Sequence, residues 1–143
     1  MADWRRMLTC SVHPLPYHPN PADYFAAIRH APGAVLLDSG RPAADRGRYD
    51  LLSAWPIEAL SIRPDESGRG FLQRLREALQ QLGNAQLPAP YELPFAGGLI
   101  GYLSYDFGRQ LEHLPSQSLN DLQLPDAQIG LYGWALVSDH KAA

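Results

Sequence analysis

The sequence predicts an α+β domain, a largely antiparallel sheet with two or more packed helices. Only two stretches carry helical spacing, while short apolar runs bounded by turn residues fill much of the rest. These runs follow the order strand, helix, several strands, helix, strands, and not a repeating βαβ array. The 13 prolines among 143 residues, above an average of about 5%, cut the chain into short elements and argue against a helical bundle.

Leu8–Val12 reads as a short edge strand, and His13–Pro21 (HPLPYHPNP) as a proline-rich connection too rigid for helix. Asn20 then caps a helix, with Pro21 at its first position, Asp23 in its first turn, and Tyr24, Phe25 and Ile28 along one face. Pro32 and Gly33 end it near His30. Ala34–Asp38 is a short apolar run that predicts a buried strand entering a turn at Ser39-Gly40. Arg41–Arg48 is polar and reads as loop; Tyr49–Trp55 and Ile57–Ile62 are two strands broken at Pro56. After a loop over Arg63–Gly70, Phe71–Leu82 is the clearest helix, with Phe71, Leu75, Ala78, Leu79 and Leu82 on one stripe and Gly83-Asn84 as its stop. Ala85–Pro94 is a linker, and Gly97–Tyr105 and Gln128–Val137 are strands. Apolar groups on both faces of Gly97–Tyr105 make it a central strand covered on both sides, with glycines that let another backbone approach closely.

Composition excludes several function classes. The length fits one domain, residues 1–143, with 45% hydrophobic and 19% charged residues. A formal net charge of -3 gives no basic field for a nucleic acid. The single cysteine, Cys10, rules out an internal disulfide framework and favours the cytoplasm; its strand-like setting predicts a buried structural thiol. The start, MADWRRMLTCSVHPLP, reads as neither a signal peptide nor a membrane span.

The motifs are sparse. Gly97–Tyr102 is glycine-rich, but no lysine follows to hold a phosphate. Asp106-Phe107-Gly108 lacks every other part of a kinase and reads as a turn after a strand. The histidines (His13, His18, His30, His113 and His140) form no ligand pair, and no serine stands in a nucleophile elbow. Asp38, Asp50, Asp106 and Glu112 sit at strand edges or turns, where a carboxylate caps backbone N–H groups. Spacing alone therefore shows no reaction centre and no cofactor or metal site in this segment.

Four stretches in order carry a resemblance. Val35–Gly40 (VLLDSG), Arg48–Pro56 (RYDLLSAWP), Phe95–Pro115 (FAGGLIGYLSYDFGRQLEHLP) and Leu124–His140 (LPDAQIGLYGWALVSDH) together resemble the amino-terminal region of component I of aminodeoxychorismate synthase and of its relative anthranilate synthase. The chain departs from that pattern at Trp55, where relatives often have an acidic residue, and at Arg46-Gly47, which replaces an aromatic-small pair.

The resemblance implies the amino-terminal part of the chorismate-utilising synthase fold. It implies an enzyme that aminates chorismate to 4-amino-4-deoxychorismate for 4-aminobenzoate and folate, with magnesium, and with a glutamine amidotransferase subunit as ammonia source. The family's catalytic lysine and metal-binding glutamates belong to its carboxy-terminal catalytic domain, so this segment, whose only lysine is Lys141, is expected to be non-catalytic. The resemblance also implies a tryptophan site at Ser39, Arg46, Gly47, Arg48 and Tyr49, structural or regulatory, completed by the other half of the family's fold. An apolar face left by that half predicts self-association. The alternatives are the regulatory domain of anthranilate synthase component I and a free-standing amino-acid-binding module.

Overall fold

The computed structural model describes residues 8–40, 47–112, 115 and 123–142. In chain order the elements are β1 (Leu8–Thr9), α1 (Ala22–Ile28), β2 (Val35–Leu37), β3 (Tyr49–Ser53), β4 (Glu58–Ser61), α2 (Gly68–Leu82), β5 (Ala85–Gln86), β6 (Gly98–Leu103), a 3-10 helix (Tyr105–Gln110), β7 (Ala127–Tyr132) and β8 (Leu136–Asp139). Two three-stranded antiparallel sheets, in the orders β2-β3-β8 and β4-β7-β6, form the body, and β1 pairs with β5 in parallel. The α+β, largely antiparallel expectation holds.

The layers follow from side-chain alternation along the strands. Phe71, Leu75 and Ala78 of α2 pack with Leu60, Ala127, Leu131 and Phe107 on one face of the β4-β7-β6 sheet, with Leu99 against them. On its other face Ile100 and Tyr132 meet Leu51, with Val35 and Val137 from the β2-β3-β8 sheet beside them. The Tyr132 hydroxyl reaches across to donate to the Gly33 carbonyl at 2.8 Å.

The chain crosses between the sheets twice, side by side. At the first crossing Trp55 takes φ +51°, and at the second Trp134 donates its indole N–H to the Ala54 carbonyl at 2.9 Å. Ser53 Oγ donates in turn to the Trp134 carbonyl at 2.7 Å. Gln128–Val137, expected as one strand, is therefore two, in different sheets, with the break at residues 133–135. The apolar character continues through the break because Trp134 and Ala135 pack at the crossing, so hydropathy alone does not mark it.

Other boundaries shift. Helix α2 begins at Gly68, inside the expected loop, because the Ser67 hydroxyl accepts from the Gly70 N–H at 3.1 Å and caps it. Asn20 Oδ1 accepts from the Ala22 N–H, so it acts as the expected cap although the helix starts at Ala22. The expected linker Ala85–Pro94 contributes β5. Strand β2 is half-buried, not buried, with Leu37 50% exposed, because it lies at the edge of its sheet. Strand β6 is likewise an edge strand, not the central one. Its first half is covered on both faces, which accounts for its apolar pattern, while Tyr102 and Leu103 are exposed. Gly101 meets the expectation of close approach, since a Cβ there would overlap the Gln128 carbonyl oxygen. Among the described residues no helix is long and apolar enough to cross a membrane.

Candidate functional site

The turn after β2, the start of β3 and the end of β8 converge at one end of the β2-β3-β8 sheet. Register places Tyr49 opposite Asp139 and Asp50 opposite Ser138. Ser39 follows the turn, with the Gly40 N–H donating to Asp38 Oδ1 at 2.7 Å. Gly47 lies against Ser39: a Cβ at Gly47 would come within 2.7 Å of Ser39 Oγ and 2.8 Å of its carbonyl oxygen. A side chain at residue 47 would thus push Ser39 out of place.

Asp50 is the centre of the cluster. It is 1% exposed in a strand of apolar neighbours. Its Oδ1 accepts from both the Ser39 backbone N–H at 2.7 Å and the Ser39 hydroxyl at 2.8 Å. Its Oδ2 is 2.5 Å from His140 Nε2, and His140 Nδ1 is 2.8 Å from the hydroxyl of Tyr17 in the proline-rich segment. A carboxylate only accepts, so His140 Nε2 carries the proton between them. Burial pushes the Asp50 carboxyl up, but the Ser39 N–H, the Ser39 hydroxyl and His140 outweigh it and hold the group below its ordinary value.

Beside it, Arg48 binds Asp139 through two nitrogens, Nε to Oδ1 at 3.0 Å and Nη2 to Oδ2 at 2.8 Å. The Arg48 guanidinium also lies 4.6 Å from the centroid of the Tyr49 ring. The Arg48 hydrogen bond is the main cause that brings Asp139 down to about 2.

The structure therefore brings together Ser39, Gly47, Arg48 and Tyr49 of the residues singled out in the sequence. Arg46 lies outside the described residues, as does His113. Asp50, Asp139, His140 and Tyr17 were missed as members of the site. A signal existed for Asp50, an acidic residue inside the apolar run YDLLS, which calls for a buried partner. The reading of Asp38 and Asp50 as caps of backbone N–H groups holds. Cys10 is half-buried, not buried, with its Sγ 3.9 Å from the Ala96 carbonyl.

An open groove of about 1280 Å³ runs between residues 10–18 and the faces of residues 83–97 and β8. Tyr17, Ser138 and Asp139 border it, but Ser39, Gly47, Arg48 and Tyr49 do not. It exceeds the roughly 300–1,000 Å³ of an ordinary ligand pocket. Among the described residues no group of three or more His, Cys, Asp or Glu is placed to hold a metal ion.

No family model matches the chain. It is 37% identical over 147 residues, 95% of its length, to aminodeoxychorismate synthase component 1 of Salmonella typhimurium. It is 36% identical over 146 residues to the protein of that name from Klebsiella aerogenes. Anthranilate synthase component 1 of Mycobacterium tuberculosis is 28% identical over 149 residues. The chain spans only 32%, 32% and 28% of these three proteins. Among solved structures, anthranilate synthase component I from Streptococcus pneumoniae shares the fold, with a TM-score of 0.53 and 22% identity over 92% of this chain and 30% of that one.

Proposed function

The chain is homologous to component 1 of aminodeoxychorismate synthase over a stretch equal to 32% of that protein's length, and from that premise we propose that it is the amino-terminal, non-catalytic portion of such a component. The observation that carries this reading is the 37% identity over 95% of the chain. The parent enzyme aminates chorismate to 4-amino-4-deoxychorismate for 4-aminobenzoate, and the chemistry belongs to the part of the relatives that this chain does not match. That part holds the magnesium. A glutamine amidotransferase subunit supplies ammonia, and this portion packs against the catalytic domain.

Within this portion, Ser39, Arg46, Gly47, Arg48 and Tyr49 hold an amino acid, with tryptophan the best fit. The close packing of Ser39 on Gly47 and the Tyr49 ring beside Arg48 support a site for a polar head group next to an aromatic body. The reading as an anthranilate synthase regulatory portion draws on the 28% identical mycobacterial relatives, and the higher identity to the aminodeoxychorismate proteins places it second.

Two measurements test the proposal. The purified chain, given chorismate, ammonium and magnesium, is expected to form no amino product; sustained product formation would overturn the non-catalytic reading. In NMR titration L-tryptophan is expected to bind weakly, with a Kd on the order of 1 mM, and to shift the Ser39 and Gly47 amides, while L-leucine leaves them unmoved. Equal shifts from both, or none from tryptophan, would remove the ligand site.

A further inference from the structure

We infer that residues 11–31 form a cover that opens and closes over the groove as one unit, and that the hydrogen bond between Tyr17 and His140 is its latch. This stretch joins the proline-rich connection to α1, and it lies on the body more than in it. Pro21 is its only buried residue. Leu15 and Tyr17 are exposed, and no residue of α1 is buried.

Both ends of the stretch are anchored. Before it, the Cys10 N–H donates to the Gln86 carbonyl at 3.1 Å. After it, the Pro32 carbonyl accepts from the Trp55 N–H at 2.8 Å, and the Gly33 carbonyl accepts from the Tyr132 hydroxyl. Between these anchors, among the described residues, one hydrogen bond reaches the sheets, from the Tyr17 hydroxyl to His140 Nδ1 at 2.8 Å. The rings of the same pair meet edge to face. The other polar contacts of the stretch are internal. The Tyr24 hydroxyl donates to the Pro16 carbonyl at 2.6 Å, and the His18 ring stands edge-on to the Tyr24 ring with centroids 5.0 Å apart. These contacts tie the proline-rich segment to α1, so the two move together.

The latch has a fixed half and a free half. The side chains of His140 and Asp50 are 4% and 2% exposed. His140 Nε2 is held by Asp50 Oδ2 at 2.5 Å, which leaves Nδ1 to accept from Tyr17. Tyr17 sits on a stretch with almost no core of its own. Beneath that stretch runs the groove of about 1280 Å³, whose body side carries Leu82, Phe95, Trp134 and Val137. The cover spans this space instead of filling it, so few dispersion contacts hold it shut. When it lifts, α1 loses its support, and a helix of seven residues is too short to persist alone in water. The α1 amides therefore report the opening.

Native-state hydrogen exchange on the whole chain tests this. The amides of Phe25 to Ile28 are expected to exchange through an opening smaller than global unfolding. Their protection is expected to fall with urea, because opening uncovers the apolar wall of the groove, but with a shallower slope than that of β3 and β8. A slope of zero would mean fraying that uncovers nothing. A slope equal to that of the sheets would mean that the stretch opens only when everything does. Either result would overturn the cover.

Tyr17→Phe keeps the ring and removes the hydroxyl. It is expected to speed exchange of the α1 amides about fivefold, the factor that one net hydrogen bond supplies, and to leave β3 and β8 unchanged. A merely local bond would alter only the residues next to Tyr17, so unchanged α1 amides would overturn the latch. An equal rise in β3 and β8 would overturn it too. Tyr24→Phe cuts the hydrogen bond between the proline-rich segment and α1. In that background the effect of Tyr17→Phe on α1 is expected to fall below about twofold, the coupling of residues in one network. Retention of the full effect would overturn the single moving unit.

Discussion

Asp50 occupies an interior position of a five-residue strand and is nonetheless ionised, because each of its oxygens is met by a donor. Replacing it with alanine leaves the Ser39 N–H and His140 Nε2 without an acceptor in a site closed to water. Asp50→Ala is expected to lower stability by about 3 kcal/mol, read as a lower urea midpoint at unchanged slope. Asp139 gives a pH prediction. Its folded value of about 2 lies below the ordinary 3.8, so its contribution is present above about pH 4 and is lost as pH falls towards 2. Asp50 and Glu66 are depressed as well and act in the same direction. Arg48→Met is therefore expected to flatten the loss of unfolding free energy between pH 4 and about 2, though not to abolish it. The Lys141 N–H still donates to Asp139 at 3.0 Å. An unchanged slope would mean that the ion pair does not set the Asp139 value. At this scale the sequence revealed half of the site. Ser39, Arg48 and Tyr49 stand in recognisable stretches, but the pairing of Asp50 with His140 spans 90 positions, and no local pattern carries information over that distance.

Among the elements, helix α2 was the most legible, since a helix that covers a sheet must repeat its apolar residues every three or four positions, and Phe71, Leu75 and Ala78 do so and are buried. Its first turn was not legible, because Gly68 and Gly70 are poor helix formers, and the Ser67 cap together with the packing of buried Gly68 against Gln110 and Leu111 holds the turn in place. Ser67→Ala is therefore expected to cost about 1 kcal/mol and to raise the amide exchange of residues 68–70 while leaving 75–82 protected. Uniform loss of protection along the helix would show that the cap is not a local device. Strands were legible as apolar runs but not as sheet positions. Alternation tells which face a residue takes, whereas sheet order depends on partners far along the chain. That is why β6 reads as central from its apolar faces and yet lies at an edge, and why one apolar run from Gln128 onward serves two sheets.

The whole molecule presents that edge openly. Among the described residues no strand pairs with the outer side of β6, and Tyr102 (40% exposed), Leu103 (46%) and Tyr105 (98%) stand exposed along or just beyond it. An unpaired strand edge flanked by apolar side chains is a template for a further strand. The outer edge of β6 is therefore the surface of the described residues best suited to pair with a second copy of the chain. Self-association through β6 is the expected consequence when the chain is purified alone. Sedimentation is expected to show dimers or larger species that grow with concentration. Leu103→Lys, which sets a charge on the edge strand without entering the core, is expected to shift the distribution towards monomer. A clean monomer at high concentration would mean that the twist of β6 or the adjoining 3-10 helix already protects the edge. Association that survives Leu103→Lys would move the contact elsewhere, and the exposed pair Trp55 and Trp134, with ring centroids 6.3 Å apart at the sheet crossing, would be the next face to charge.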